Sequence, residues 1–139
     1  MPTVSALTGG GFAVGWAVQH GDYLVGQCFD AAGQPIGARF QAASASYFDA
    51  IASAGPQDGS FLLMWTASTQ EGDVVQARRY AADGTSLGPS FPVNSRPPIF
   101  PWDGSVAGLE DGGFVATWSD EESEEEFDRD VIARRFATD

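Results

Sequence analysis

The heptapeptide GGFVATW at residues 112–118 governs the interpretation of this sequence, because two close variants of it stand earlier in the chain. GGFAVGW occupies residues 10–16 and GSFLLMW residues 59–65, so a phenylalanine and a following tryptophan recur about every 50 residues. Self-similarity at such a period is typical of repeat architectures, in which one supersecondary unit is copied along the chain. The sequence therefore predicts a single domain, residues 1–139, built from three repeats.

The predicted repeats span residues 1–44, 45–95 and 96–139, and each is expected to hold about four short antiparallel strands. In the first repeat the expected strands are Thr3–Leu7, Phe12–Val18, Tyr23–Phe29 and Ile36–Ala42. Glycine and aspartate between successive strands tolerate the positive φ that tight hairpin turns need. The third repeat lacks a counterpart of the last strand, so eleven strands are expected, and one sheet edge would need a strand from another chain or a further repeat.

The strand that carries the tryptophan motif is apolar on both faces, since FAVGWAV and FLLMW do not alternate between apolar and polar residues. A strand that is covered on both sides has such a continuous apolar pattern. The strand that follows is half polar, as Gln76, Arg78 and Arg79 show. This gradient favours an all-β fold of four-stranded sheets stacked face to face, like the blades of a propeller. A β-trefoil and a two-sheet sandwich are the alternatives.

Composition excludes several classes of function. Cys28 and His20 are the only residues of their types, so an intrachain disulfide and a zinc site of cysteines and histidines are both excluded. The net charge of −12 argues against nucleic acid and anionic membranes, which need a basic surface. No apolar run is long enough for membrane insertion, and the first residues lack the pattern of a secretory signal peptide. No nucleophile stands at a readable spacing from a base, so the sequence predicts no enzyme.

The segment 120–130 holds eight carboxylates and one arginine, and it appears as an acidic insertion between two strands of the third repeat. Calcium takes about six to eight oxygen ligands from carboxylates and carbonyls, so this segment is a candidate Ca²⁺ site. The candidate ligands are Asp120, Glu121, Glu122, Asp128 and Asp130. The alternative is a solvated acidic tip that like charges hold extended.

The segment NSRPPIFPWDGS at residues 94–105 is expected to link the second and third repeats, with its prolines keeping it extended. Phe100 and Trp102 are candidate ligand-binding residues for stacking on a glycan or docking a protein partner. The alternative is that these aromatic side chains pack over the end of a sheet.

Other conspicuous residues have structural interpretations. The fixed distance of each motif tryptophan from its phenylalanine predicts a core position. Cys28 is expected to be a buried, inert thiol. Four arginines are expected to pair with acidic neighbours across strands: Arg78, Arg79, Arg134 and Arg135.

The repeats resemble a repeat of large secreted bacterial proteins of the adhesin type, DGGFVVTW…QRFD…G…G…F.VN, which occurs beside calcium-binding RTX-type and cadherin-like repeats. The matching residues are Asp111, Gly112, Gly113, Phe114, Trp118, Arg135, Phe136, Gly84, Gly88, Phe91, Val93, Asn94 and Ser95. This resemblance covers nearly the whole chain. It implies an extracellular or cell-surface location and a role without enzymatic activity. The first functional hypothesis is therefore an adhesin-like binding module, which would bind a protein or glycan partner with the help of calcium.

Two other functions stay open at this point. A structural subunit of a virion or surface assembly would self-associate as a homo-oligomer through its sheet edges. A hydrolase would need two carboxylates in distinct environments, and nothing in the sequence singles out such a pair.

Overall fold

The computed structural model describes residues 1–18, 22–70, 72–94, 102–121 and 129–137. These residues form eleven β-strands and no helix. The strands are β1 (Pro2–Ala6), β2 (Phe12–Val18), β3 (Tyr23–Phe29), β4 (Pro35–Ser44), β5 (Tyr47–Ala54), β6 (Phe61–Thr69), β7 (Gly72–Tyr80), β8 (Phe91–Pro92), β9 (Trp102–Gly108), β10 (Phe114–Glu121) and β11 (Arg129–Phe136). No apolar helix of membrane-spanning length therefore occurs in the described ranges.

The strands form three antiparallel sheets. The first sheet has the order β1-β2-β3-β4, the second β5-β6-β7-β8, and the third β11-β10-β9. The prediction of an all-β, antiparallel fold is confirmed, and none of the described sheets closes into the barrel that a β-trefoil requires. The expected bounds of β2 and β3 are correct, whereas β1 begins at Pro2 and β4 extends to Ser44.

The second sheet lies between the other two and is covered on both faces. From one face of β6, Phe61, Leu63 and Trp65 enter a buried cluster with the first sheet. From the opposite face, Leu62 and Met64 enter a second cluster with the third sheet. The absence of alternation in FLLMW thus has a packing cause, because each successive side chain of β6 enters one core or the other.

An aromatic pair bridges the second and third strands of the first and second sheets, and β10 and β11 of the third. The paired rings are Phe12 with Phe29 at 4.9 Å between centroids, Phe61 with Tyr80 at 5.2 Å, and Phe114 with Phe136 at 4.7 Å. In the second and third sheets the pair also contacts a third ring. Phe40 lies 4.6 Å from Tyr80, and Phe91 lies 5.8 Å from Phe136. Within the described ranges no third ring joins the pair of the first sheet. Stacked rings of this kind contribute about 0.5–1.5 kcal/mol beyond the area they bury.

The turn before each of β2, β6 and β10 depends on a glycine in the left-handed region. Gly10, Gly59 and Gly112 have φ of 89°, 86° and 83°. Only glycine adopts this conformation without a steric penalty. The spacing of these glycines from the following phenylalanine therefore fixes where each central strand begins.

The first strands of successive sheets approach each other closely. A Cβ on Gly55, just after β5, would overlap the carbonyl oxygen of Ala6 at the end of β1. A Cβ on Gly108 would lie 2.7 Å from the backbone nitrogen of Pro56. Thr3 of β1 and Ser53 of β5 also share a hydrogen bond of 2.9 Å between their hydroxyl oxygens. The sheets therefore lie in backbone contact along this edge.

Candidate functional site

The acidic segment is less of a loop than the sequence predicts. β10 continues to Glu121 and β11 begins at Arg129, and the register places the Cα atoms of Asp120 and Asp130 opposite each other. The expectation of an acidic insertion from 120 to 130 is therefore wrong at both ends, because ladder hydrogen bonds extend into it. Of the candidate calcium ligands, Glu122 and Asp128 lie outside the described residues. In the part of the chain that is described, no group of three or more histidine, cysteine, aspartate or glutamate residues could hold a metal ion.

The linker ends earlier than expected. Trp102 is the first residue of β9, and its Cα lies opposite Ser119 of β10. The predicted span of 94–105 is thus wrong at its C-terminal end, since cross-strand pairing holds 102–105 in the third sheet. Phe100, the other candidate ligand-binding residue, lies outside the described residues.

Two arginine–aspartate pairs fasten the turns of the second and third sheets. Arg79 donates to Asp58 at 2.6 Å, and Arg135 donates to Asp111. Asp58 also accepts a hydrogen bond of 3.0 Å from the backbone nitrogen of Ser60. The same carboxylate therefore stabilises the turn and holds the Arg79 guanidinium. The prediction that these two arginines pair with acidic neighbours is confirmed.

The other two arginines bind carbonyl oxygens. Arg134 donates to the backbone oxygen of Val93 at 3.0 Å, and its guanidinium lies 4.8 Å from the Phe136 ring. Arg78 donates to the backbone oxygen of Gly88 at 2.8 Å. The expectation of acidic partners is wrong for both within the described ranges, since each guanidinium group donates to a backbone carbonyl oxygen of another segment instead.

The first sheet lacks the arginine–aspartate pair. Gly9 stands three residues before Phe12, where the other sheets have aspartate, and Cys28 stands before Phe29, where they have arginine. Cys28 is buried, and burial, with a smaller contribution from Asp83, raises the pKa of its thiol to about 11. The prediction of a buried thiol is confirmed, and a thiol with this pKa is a poor nucleophile at neutral pH.

The turn carboxylate Asp58 makes stability depend on pH. Burial acts to raise its pKa, but hydrogen bonds from Ser60 and the charge of Arg79 outweigh that effect and lower the pKa below 3.8. A carboxyl with a depressed folded-state pKa stabilises the fold above its unfolded pKa and loses that contribution as the pH falls through the folded value. We expect acidification below about pH 4 to destabilise the chain, and Asp58→Asn to lose less on acidification. Urea titrations at neutral and acidic pH check this, and an equal acid loss in both proteins would contradict it.

The outer face of the first sheet is apolar along β1 and β2, and no other sheet of the described residues packs on it. By register it presents Val4 and Ala6 of β1, Phe12, Val14 and Trp16 of β2, and Phe29 of β3. Val4 is 65% exposed, and Trp16 is half-buried, whereas Trp65 and Trp118 are 2% and 4% exposed. The prediction that the motif tryptophans are core residues is thus confirmed for Trp65 and Trp118 and only partly for Trp16. An exposed, contiguous apolar sheet face is typical of an interaction surface, so this face is the candidate functional site.

Sequence reasoning missed this surface for a physical reason. FAVGWAV of β2 has the same apolar pattern as FLLMW of β6, and the pattern does not show which strand ends the stack. One feature of the sequence distinguishes the first sheet from the other two. Only there do Gly9 and Cys28 stand at the positions of the aspartate and the arginine.

Comparison with known proteins places the chain in no established family. No family model matches the chain, and no curated protein shows a significant match to it. The function therefore has to be inferred from the chain's own geometry.

Proposed function

We propose that this chain is a non-enzymatic β-repeat module that acts by binding or adhesion outside the cell or at the cell surface. The observation that carries the proposal is the uncovered apolar face of the first sheet, with Val4 65% exposed beside the half-buried Phe12 and Trp16. Polar side chains such as Arg79 and Asp58 form hydrogen bonds that stabilise turns and the contacts between sheets. The placement outside the cell rests on the resemblance of the repeats to those of secreted adhesin-type proteins.

We propose further that the chain consists of three copies of one structural unit, and that their sheets stack face to face like the blades of a propeller. The aromatic pairs at 4.9, 5.2 and 4.7 Å support copying of one unit. The similar φ angles of Gly10, Gly59 and Gly112 support it as well. The close approach of β1 to β5 and of β9 to Gly55 and Pro56 supports stacking about the first strands.

Calcium assistance by the acidic segment, residues 120–130, is part of the proposal. The register that opposes Asp120 and Asp130 supports it, because like charges placed opposite each other in a ladder destabilise the pair unless a cation offsets them. Ca²⁺ that binds only the folded chain would raise its melting temperature by mass action.

The test measures binding and calcium together. Labelled chain is applied to immobilised polysaccharides and to bacterial cells, with Ca²⁺ and with a chelator, while calorimetry follows Ca²⁺ alone. We expect saturable surface binding that weakens several-fold on chelation, and a rise in melting temperature with Ca²⁺. Trp102→Ala is expected to weaken the binding, with the melting temperature as control. Absence of both surface binding and calcium heat would overturn the proposal, and lost stability with unchanged binding would assign Trp102 to packing.

A structural subunit of a virion or surface assembly is the second candidate. The observation that favours it is that, among the described residues, no other sheet packs on the outer face of the first sheet or on that of the third. Such a subunit would assemble through its sheet faces as well as through its edges.

A further inference from the structure

We propose that the uncovered outer face of the first sheet binds the outer face of the third sheet of a second copy of this chain. The apolar part of this first-sheet outer face includes Val4, Ala6, Phe12, Val14, Trp16 and Phe29, and the register places Val25 and Gln27 of β3 beside them. The third-sheet outer face includes Ser105, Ala107, Val115, Thr117, Ala133 and Arg135, and the register adds Ser119 and Val131 at one end. The inference rests on the proposed stacking of equivalent units, and it adds the partner and the contact geometry.

The chain already contains this interface twice. The face of the second sheet that carries Phe61, Leu63 and Trp65 is covered by the face of the first sheet that carries Ala13 and Cys28. The face of the third sheet with Phe114, Ala116 and Trp118 is covered in the same sense by Leu62 and Met64 of the second sheet. The motif face of each sheet thus packs on the opposite face of the sheet before it. Only the motif face of the first sheet and the opposite face of the third are left without this cover in the described part of the chain.

The residues at the centre of each contact are complementary in size. Leu63 lies against Gly15, whose added Cβ would be 2.9 Å from a Leu63 methyl group. In the contact between the second and third sheets, Ala116 stands at the position of Leu63 and Met64 at that of Gly15. The small and the large residue are thus exchanged, and both lie in one buried cluster. At the open ends the corresponding residues are Val14 and Thr117, both of intermediate size. A head-to-tail contact would therefore place Val14 of one copy against Thr117 of the other, with neither a large void nor two large side chains in conflict.

A polar contact would follow the same pattern. Arg79 of the second sheet donates to the backbone oxygen of Gly112 in the third sheet at 3.3 Å. Arg135 is the residue of the third sheet that corresponds to Arg79 of the second. Gly10, before β2 of the first sheet, corresponds to Gly112 before β10. The side chain of Arg135 is 61% exposed. In the head-to-tail contact, Arg135 of one copy would reach the Gly10 oxygen of the next.

One residue keeps this contact weaker than the internal ones. Ala6 stands at the position of Gly55 and Gly108, where a Cβ would overlap the backbone of the preceding sheet. The Ala6 methyl group would meet the end of β9 of the second copy, so the first strands cannot approach as closely as they do inside the chain. We therefore expect association at high protein concentration, and tighter association for Ala6→Gly.

Two copies would present six stacked sheets, three from each chain. Propellers close with about four to eight blades, so a dimer lies within the range that can form a ring. If the rotation between copies does not close, the same contact builds an open filament.

The experiment is sedimentation velocity of residues 1–139 over a concentration range of about a hundredfold. Val14→Arg places a charge on one face, and Thr117→Glu places one on the other; each variant alone would bury an unpaired charge in the contact and should remain monomeric. When the two variants are mixed, one contact is unaltered and the other pairs the introduced arginine with the introduced glutamate, so association should return. Ala6→Gly should tighten wild-type association by about tenfold or more.

The matched control is Leu87→Arg, which adds the same charge at a 57% exposed position beside the second sheet and should associate like the wild type. Thermal melting of each dilute variant verifies folding. A wild type that stays monomeric throughout overturns the inference, and so does a mixture of the two charged variants that stays monomeric while each is folded. Association that survives either charge overturns it too and assigns self-association to another surface. Surface binding by a chain that stays monomeric leaves the proposed function standing, so the two failures are distinguishable.

Discussion

Gly55→Ala is expected to destabilise the fold by about 3 kcal/mol or more, the upper end of what overpacking costs. The added Cβ would overlap the carbonyl oxygen of Ala6. That oxygen is a backbone atom between two packed strands, so no change of rotamer relieves the overlap. The φ of Gly55 lies outside the left-handed region, and the expected effect is therefore steric. Urea denaturation followed by tryptophan fluorescence measures it through the change in midpoint.

Gly88→Ala is the matched control for this substitution. An added Cβ at Gly88 meets nothing within 4 Å, and its φ is also outside the left-handed region. We expect a change within about 0.5 kcal/mol, or a slight gain from the stiffer unfolded chain. Equal effects at Gly55 and Gly88 would show that the first strands do not lie in backbone contact.

Trp65→Ala is expected to cost about 3–5 kcal/mol, as is typical when a buried aromatic side chain is truncated. Trp65 is 2% exposed and lies in the cluster between the first and second sheets. Domains of this size are stable by about 5–15 kcal/mol, so the loss would leave a marginal fold. Thermal and urea unfolding both measure it.

Trp16→Ala supplies the comparison within the same motif. Trp16 is half-buried on the first-sheet outer face, so less apolar area returns to water and no closed cavity forms. We expect a dilute protein to lose about half as much stability as with Trp65→Ala, or less. Equal losses at low concentration would mean that the outer face is covered within a single chain.

Local sequence pattern predicted those features that depend on neighbours along the chain. The glycine turns and the bounds of β2 and β3 follow from backbone preference, and the unbroken apolar run of β6 follows from burial on two sides. The sequence also predicted that Arg79 pairs with an acidic neighbour, and the structure identifies this neighbour as Asp58 in the turn before β6. The predicted repeat boundaries and the calcium ligands stay predictions.

Features that depend on distant segments were not predictable. The ladder of β10 and β11 extends into the acidic stretch, which a charge count alone reads as a loop. Arg134 reaches the backbone of Val93, a group far away in sequence that no local pattern indicates. The same holds for Trp16, whose motif is shared with Trp65 although its environment is not.

The sequence by itself determined an all-β chain with central apolar strands and glycine turns, because each depends on the preferences of a few consecutive residues. Only the tertiary structure decided which sheet lies in the middle and which apolar face stays uncovered. The physical reason is that burial belongs to the stack of sheets: FAVGWAV and FLLMW differ little in pattern, yet one is covered on one face and the other on both.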